Sequence, residues 1–181
     1  MDMLYSPKLI LTKILMTNRK PILKTHWERY RAHLALDNDT LKKLIAPYST
    51  QTITNLTTLS DGCANSNYKV ELANGEILIL RIYLREKTAF AREQGLHALL
   101  EDKLPIAKLY YSDADENIID HPYAIMQFIE GEMMRDVILT GNESAIGECA
   151  FSAGHYLNQL KNIKLPHGGF FQDNKLTIRP F

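Results

Sequence analysis

The stretch that decides the fold is Leu59-Ser-Asp-Gly-Cys-Ala-Asn-Ser-Asn-Tyr-Lys-Val-Glu-Leu-Ala-Asn-Gly-Glu-Ile-Leu-Ile-Leu-Arg-Ile-Tyr83. Its pattern predicts the end of one strand, a loop rich in Gly, Asn and Ser, a second strand, a turn at Asn74-Gly75 and a third strand that carries Arg81. A hairpin of this kind can lay a loop over phosphate groups and point a cation at them.

Arg81 is a cation in an otherwise nearly continuous apolar strand, residues 77–83. Burying it without a partner would cost on the order of several kcal/mol, so the pattern demands a nearby carboxylate. Glu93 could supply one, because it lies on the helix predicted next in the chain. The alternative is that Arg81 faces solvent and Glu93 is an ordinary helix charge.

Two further segments have both a functional and a plain interpretation. Residues 61–67 could line a phosphate pocket with backbone N–H groups and polar side chains, or could be an ordinary hairpin loop. Residues 123–131 form an apolar stretch that ends in Gly131. This stretch could be a hinge whose backbone meets a flat heterocycle, or a plain core strand.

The elements outward from the hairpin follow from hydrophobic periodicity and from capping and turn residues. Asp39 is the expected cap of the second helix, and residues 165–181 are expected to be irregular. The predicted helices are 26–36, 39–45, 88–100 and 144–160, and the predicted strands are 51–59, 68–72, 77–83, 108–111 and 123–129.

The composition excludes several classes of protein. With 45% hydrophobic and 23% charged residues, the chain of 181 residues is typical of a soluble globular protein. Lys+Arg and Asp+Glu balance at 21 each, so no global charge attracts nucleic acid or an acidic membrane. Two cysteines and the lack of a long apolar run predict a cytoplasmic protein with no zinc site and no membrane partner.

Four segments together resemble the amino-terminal half of the aminoglycoside phosphotransferase and choline kinase superfamily. They are residues 59–70, residues 78–83, Arg92-Glu93 and residues 123–131. The resemblance covers roughly residues 50–165 and implies an α+β, protein-kinase-like fold. The implied parts are an N-terminal helical extension, a nucleotide-binding small lobe with an antiparallel sheet plus one helix, and the first helices of a truncated helical large lobe, at residues 1–48, 49–130 and 131–181.

The resemblance also implies ATP and Mg²⁺ as cofactors and gives roles to individual residues. Arg81 takes the place of the phosphate-binding cation, where many relatives carry Lys, and Glu93 takes the place of the carboxylate that orients it. The phosphate-covering loop and the adenine-contacting hinge backbone fall on Gly62, Asn65, Ser66, Asn67, Gln127, Phe128 and Ile129.

The family's catalytic Asp and its metal-binding Asp have no counterpart in the chain. The segment from His167 to Asn174 has a similar His, Gly and Asn spacing, but Gly169 stands where the Asp belongs. We interpret residues 168–171 as the loop after the first large-lobe helix, so the resemblance implies no catalytic residue and no Mg²⁺ ligand here.

The complete form of such a protein would transfer the γ-phosphoryl group of ATP to a hydroxyl of a small polar molecule. Aminoglycoside, choline, homoserine and sugar-like acceptors all stay open. This chain alone is expected to be inactive. The alternatives are a non-catalytic, pseudokinase-like binding or interaction module, and one half of a split kinase whose other half is a complementing protein chain.

Overall fold

The computed structural model describes residue 29 and residues 31–59, 62, 64–85 and 87–181. In chain order the elements are α1 (Asn38–Ile45), β1 (Ile53–Leu59), β2 (Ser66–Leu72), β3 (Ile77–Ile82), α2 (Lys87–Leu100), β4 (Leu109–Asp113), β5 (Tyr123–Gln127), α3 (Met134–Leu139), α4 (Glu143–Leu160), β6 (Gly169–Phe171) and β7 (Ile178–Pro180).

Strands β1 to β5 form one antiparallel sheet in the order β1-β2-β3-β5-β4. The chain passes through β1, β2 and β3 as adjacent strands, and α2 then connects β3 to β4. The α+β class predicted from the sequence is confirmed. The division at residues 48 and 130 stays a prediction.

Alternate residues of the sheet point to two faces. The first, which we call the core face, packs against α1 through Leu41, Leu44 and Ile45. Burial of these apolar side chains supplies the main driving force for folding, at about 25 cal/mol per Å² removed from water. The buried strand residues of the core face are Tyr68, Val70, Leu72, Leu78, Leu80, Ile82, Tyr123 and Ile125.

Helix α1 is capped by Asp37 and not by Asp39, the predicted cap. An Asp37 carboxylate oxygen accepts hydrogen bonds from the N–H groups of Asp39 and Thr40, at 3.0 and 2.8 Å. Asp37 has extended backbone angles, so its side chain can reach the N–H groups that the first turn of the helix leaves unpaired. Asp39 itself lies in the first turn of the helix, where it cannot cap it.

Arg29 and residues 31–36, which we call the N-terminal strap, run against the start of β2. A helix was predicted over 26–36; residues 31–36 are irregular, and most of the preceding part lies outside the described residues. The Leu34 N–H donates to the Ser66 hydroxyl at 3.0 Å, and the Tyr68 hydroxyl donates to the Leu34 carbonyl. Side chains of β2 therefore satisfy backbone groups that a helix would have paired internally.

His33 belongs to the strap and packs edge-on against Tyr68, with the ring centroids 6.2 Å apart. Both ring nitrogens are buried and have no hydrogen-bond partner among the residues that the structure describes. Burial, and then the positive charge of Arg29, lower the pKa of the His33 imidazole from its ordinary value of 6.5. The folded protein therefore favours the neutral ring.

Acid is expected to destabilise the protein through His33. As the pH falls below 6.5, the unfolded chain takes up a proton that the folded chain does not, so the free energy of unfolding decreases down to the lower, folded pKa. Above 6.5 this contribution to stability is complete. Melting temperatures at about pH 7.5 and about pH 5.5 should show a smaller loss in His33→Gln than in the wild type. Equal losses would contradict the prediction.

Residues 165–181 were predicted to be irregular, and this was wrong. Strands β6 and β7 form a hairpin in which Gly169 pairs with Pro180. The hairpin lies against α2, where a Cβ added to the buried Gly95 would be 2.3 Å from the Asn174 carbonyl oxygen. The helix and the hairpin can approach so closely because position 95 has no side chain.

Helices α3 and α4 lie outside the core described above. Helix α3 was not predicted from the sequence, and its cap residue, Met133, makes no side-chain hydrogen bond that would mark a helix start. Helix α4 confirms the helix predicted over 144–160, yet none of its residues is buried, and Phe151 and Leu157 are 80% and 66% exposed. Among the described residues, no helix has the length and apolar character needed to span a membrane.

Candidate functional site

The site is built around an ion pair between β3 and α2. A terminal nitrogen of Arg81, Nη1, lies 2.7 Å from Oε1 of Glu93, and the two side chains are 31% and 36% exposed. The structure thus brings together the cation and the carboxylate that the sequence paired. Glu93 binds one of the two terminal nitrogens of the Arg81 guanidinium. Because the Arg81 side chain is partly exposed, an anion can still reach the guanidinium.

Aromatic packing fixes the position of this ion pair. The Arg81 guanidinium carbon lies 5.5 Å from the centroid of the Tyr83 ring, and Phe90 of α2 packs edge-on against the same ring. Tyr83 is buried, and that burial raises the pKa of its hydroxyl, which stays neutral. The Nε atom of Arg81 is also buried and has no hydrogen-bond partner among the described residues. The guanidinium therefore contacts the Tyr83 ring and the Glu93 carboxylate.

Strand pairing places Arg81 on the second face of the sheet, which we call the front face. Arg81 pairs with Asn67 of β2 and with Ala124 of β5, and Ile79 pairs with Lys69 and Met126. Paired residues share a face, and the side chains here are half-buried except for the buried Ala124. The front face thus has an apolar centre with polar and cationic groups around it, given by Asn67, Lys69, Ile79, Arg81, Ala124 and Met126.

The four loop residues proposed from the sequence have three different roles. The carbonyls of Gly62 and Asn65 accept hydrogen bonds from Arg29, at 3.1 Å for Asn65. Ser66 is fully buried, and its hydroxyl accepts from Leu34, so this side chain serves the strap. Asn67 pairs with Arg81, and its side-chain nitrogen would be 3.0 Å from a Cβ added to Gly62. Asn67 is therefore the loop side chain nearest in register to the cation.

The predicted hinge residues lie at the end of β5, where the sheet stops. Gln127 is the last ladder residue, and its N–H donates to the Lys108 carbonyl at 2.8 Å. The backbone N–H of Gln127 is therefore already engaged in a hydrogen bond within the protein. Phe128 and the 60% exposed Ile129 lie beyond the last ladder pair. If this hinge meets a heterocycle, the peptide groups of these two residues are the better candidates.

Lys69 is a site residue that the sequence-based prediction did not include. Its ammonium nitrogen lies 5.2 Å from the centroid of the Phe128 ring and 3.0 Å from Oε1 of Glu71. It is thus a second cation on the front face, next to the hinge. The signal was present in the alternation of β2, because residues 67 and 69 share a face once Asn67 is paired with Arg81.

The segment that resembles the family's catalytic motif forms a strand here. Gly169 begins β6, and a Cβ at this position would lie 2.2 Å from the carbonyl oxygen of Arg179. This backbone therefore has no room for a carboxylate at position 169. The part of the chain that the structure describes also contains no group of three or more His, Cys, Asp or Glu residues placed to hold a metal ion.

Residues 55–180 match the family model described as the phosphotransferase enzyme family (APH), which is well over half of the chain. The structure is similar to that of APH(2″)-IIa in its ternary complex with streptomycin and ATP. The TM-score is 0.50 at 16% identity, and the match covers 73% of this chain and 42% of that one. A likeness at this identity shows the fold alone, and it confirms the kinase-like arrangement predicted for the sheet and α2.

Two curated relatives are both named altered inheritance of mitochondria protein 9, mitochondrial. The protein from Meyerozyma guilliermondii is 27% identical over 108 residues, and the one from Clavispora lusitaniae is 27% identical over 110 residues. The matches cover 55% and 56% of this chain but only 18% of each relative. The chain therefore spans less than a fifth of the length of these relatives.

Proposed function

Because the chain belongs to the phosphotransferase enzyme family, we propose that the front face of its sheet binds the nucleotide ATP. The observation that carries this proposal is the Arg81–Glu93 ion pair, held at 2.7 Å beside an apolar surface. A purine base needs an apolar surface and a few backbone partners, whereas phosphates need a fixed cation. The front face offers both within one sheet.

In this proposal each residue has a separate task. Arg81 binds a phosphate oxygen, and Glu93 keeps the guanidinium turned towards it. Ile79 and Met126 meet the base, whose edge faces the peptide groups of Phe128 and Ile129. Lys69 adds a second positive charge near the base end of the site.

The described residues do not fit a Mg²⁺ site, because no carboxylate cluster stands on the front face. Mg²⁺ needs oxygen ligands in near-octahedral geometry, and Glu93 is already engaged by Arg81. We therefore assign no step to a metal bound by this chain. Transfer of a phosphoryl group to a small hydroxyl acceptor is proposed for the complete protein only, and this chain alone is proposed to be inactive.

The test is a thermal-shift titration with ATP, without and with Mg²⁺, on the wild type and on Arg81→Ala. A ligand that binds only the folded form raises the melting temperature. At a ligand concentration of 100 times Kd, the free energy of unfolding increases by about 2.7 kcal/mol. Loss of a charged hydrogen bond of about 1.5–3 kcal/mol should raise the Kd of Arg81→Ala about 10- to 100-fold. Arg85→Ala is the matched control, since Arg85 is exposed and follows the end of β3.

A second candidate is one half of a split kinase, which has no nucleotide site of its own until a complementing chain binds. The exposure of Phe151 and Leu157 on α4 favours it, since an interrupted helical lobe leaves large apolar side chains uncovered. The partner would be a complementing protein segment with the rest of the helical lobe. A well-folded wild type that shows no shift with ATP would exclude the nucleotide site and leave this candidate.

The location in the cell also stays a proposal. The cysteine count and the lack of a long apolar run support the cytoplasm. The names of the two curated relatives place those proteins in mitochondria.

A further inference from the structure

Arg29 makes contacts that the proposed site does not yet use. Its Nη2 atom donates to the Asn65 carbonyl at 3.1 Å, and its Nη1 atom donates to the Gly62 carbonyl. Its Nε atom donates to the Arg31 carbonyl at 3.1 Å. All three guanidinium nitrogens therefore have carbonyl partners, and two of these carbonyls belong to the loop between β1 and β2.

The rest of the strap holds the same end of the sheet. Leu34 is bonded to Ser66 and Tyr68 of β2, and Arg31 donates to the Leu84 carbonyl at 2.8 Å, just after β3. The strap thus connects the loop and β2 to the end of the strand that carries Arg81. Ser66 and Tyr68 belong to the buried set of alternate residues, so the strap reaches β2 from the side opposite the front face.

We propose that Arg29 is a positioning residue for nucleotide binding, which fixes the Gly62 and Asn65 carbonyls and thereby the backbone that leads into Asn67, the residue paired with Arg81 on the front face. This inference rests on the proposed function. Arg29 lies outside residues 55–180, the segment that matches the family, so it adds a contact from a part of the chain that the family model does not include. A loop ordered before the ligand arrives avoids part of the entropic cost of binding.

A guanidinium suits this task better than an ammonium. Its planar fork can donate to two carbonyls in fixed directions while its Nε serves a third. A lysine at position 29 would keep the charge but could donate a well-aligned hydrogen bond to only one of the carbonyls. The charge and the two-point contact can therefore be separated by substitution.

The experiment compares Arg29→Ala, Arg29→Lys and Arg31→Ala in the full chain. The first readout is amide hydrogen exchange of the loop and flanking strands without nucleotide, and the second is the Kd for ATP by titration calorimetry. For Arg29→Ala we expect faster exchange confined to the β1–β2 loop and a Kd raised about tenfold. Arg29→Lys should lie between wild type and Arg29→Ala. Arg31→Ala removes only the bond to Leu84 and should leave the Kd within about twofold.

Three outcomes would overturn the inference. The first is unchanged loop exchange in Arg29→Ala, whether or not the wild type binds ATP. The second is faster exchange spread evenly over β1, β2 and β3, because this would indicate a general structural role. The third is an unchanged Kd in both Arg29 variants when the wild type binds ATP. A wild type that binds no ATP refutes the proposed function, and with it the nucleotide part of this inference, while the loop exchange still reports on the positioning itself. If Arg29→Ala fails to fold, Arg29→Lys carries the same comparison.

Discussion

Gly95→Ala is expected to destabilise the protein by about 2–3 kcal/mol, the upper part of the range for overpacked sites. The new methyl group would lie 2.3 Å from the Asn174 carbonyl oxygen and 2.9 Å from Cδ2 of Leu176. The backbone atom cannot turn aside as a flexible side chain could, so the β6–β7 hairpin must move away from α2. Chemical denaturation measures the loss, and hydrogen exchange of residues 169–180 reports the separation.

The matched control is Gly147→Ala on α4, where nothing lies within 4 Å of the added Cβ. The same substitution there should stabilise the protein by about 0.5–1 kcal/mol, because alanine loses less backbone entropy than glycine in a helix. The two variants are thus expected to change the free energy of unfolding in opposite directions. A neutral Gly95→Ala would mean that the hairpin does not pack on α2 as described.

Leu80→Ala is expected to cost about 3 kcal/mol of the free energy of unfolding, within the range for leucine in a packed core. Leu80 is fully buried on the core face and belongs to the cluster that includes α1. Its removal takes contacts from both layers and leaves a cavity that the sheet cannot easily close. Urea denaturation of the variant gives the value.

Ile79→Ala is the neighbouring comparison, one residue away and on the opposite face. Ile79 is only half-buried, so its truncation should cost about half as much or less. It should weaken ATP binding more than Leu80→Ala does, if the base lies on Ile79. Equal losses of stability would show that β3 is covered equally on both faces.

The sequence predicted the elements of the sheet well, because alternation and turn residues are local signals. The register was harder to obtain. Asn74-Gly75 usually marks a two-residue turn, but the chain makes a three-residue turn, with Leu72 bonded to the Glu76 carbonyl and a φ of 85° at Gly75. A two-residue turn would have shifted the pairing by one residue and moved the side chains of one strand to the other face.

The Arg81–Glu93 pair could be predicted because a cation in an apolar strand needs a partner, and the next helix supplied one. Arg29 could not be predicted, because its partners are backbone carbonyls, which every residue has and no sequence pattern marks. The β6–β7 hairpin was missed for a related reason. Strands of three residues are too short to show a period, and their docking depends on the space beside Gly95.

Helix α1 has one more consequence. The family match begins at residue 55, yet Leu41, Leu44 and Ile45 fill the layer behind the sheet, and Arg29 reaches the loop from further upstream. A gene fusion or exchange that cut at the family boundary would remove three buried residues from the core cluster that contains Leu80 and Ile82. The segment that can fold on its own in a new protein is therefore longer than the segment that sequence comparison recognises.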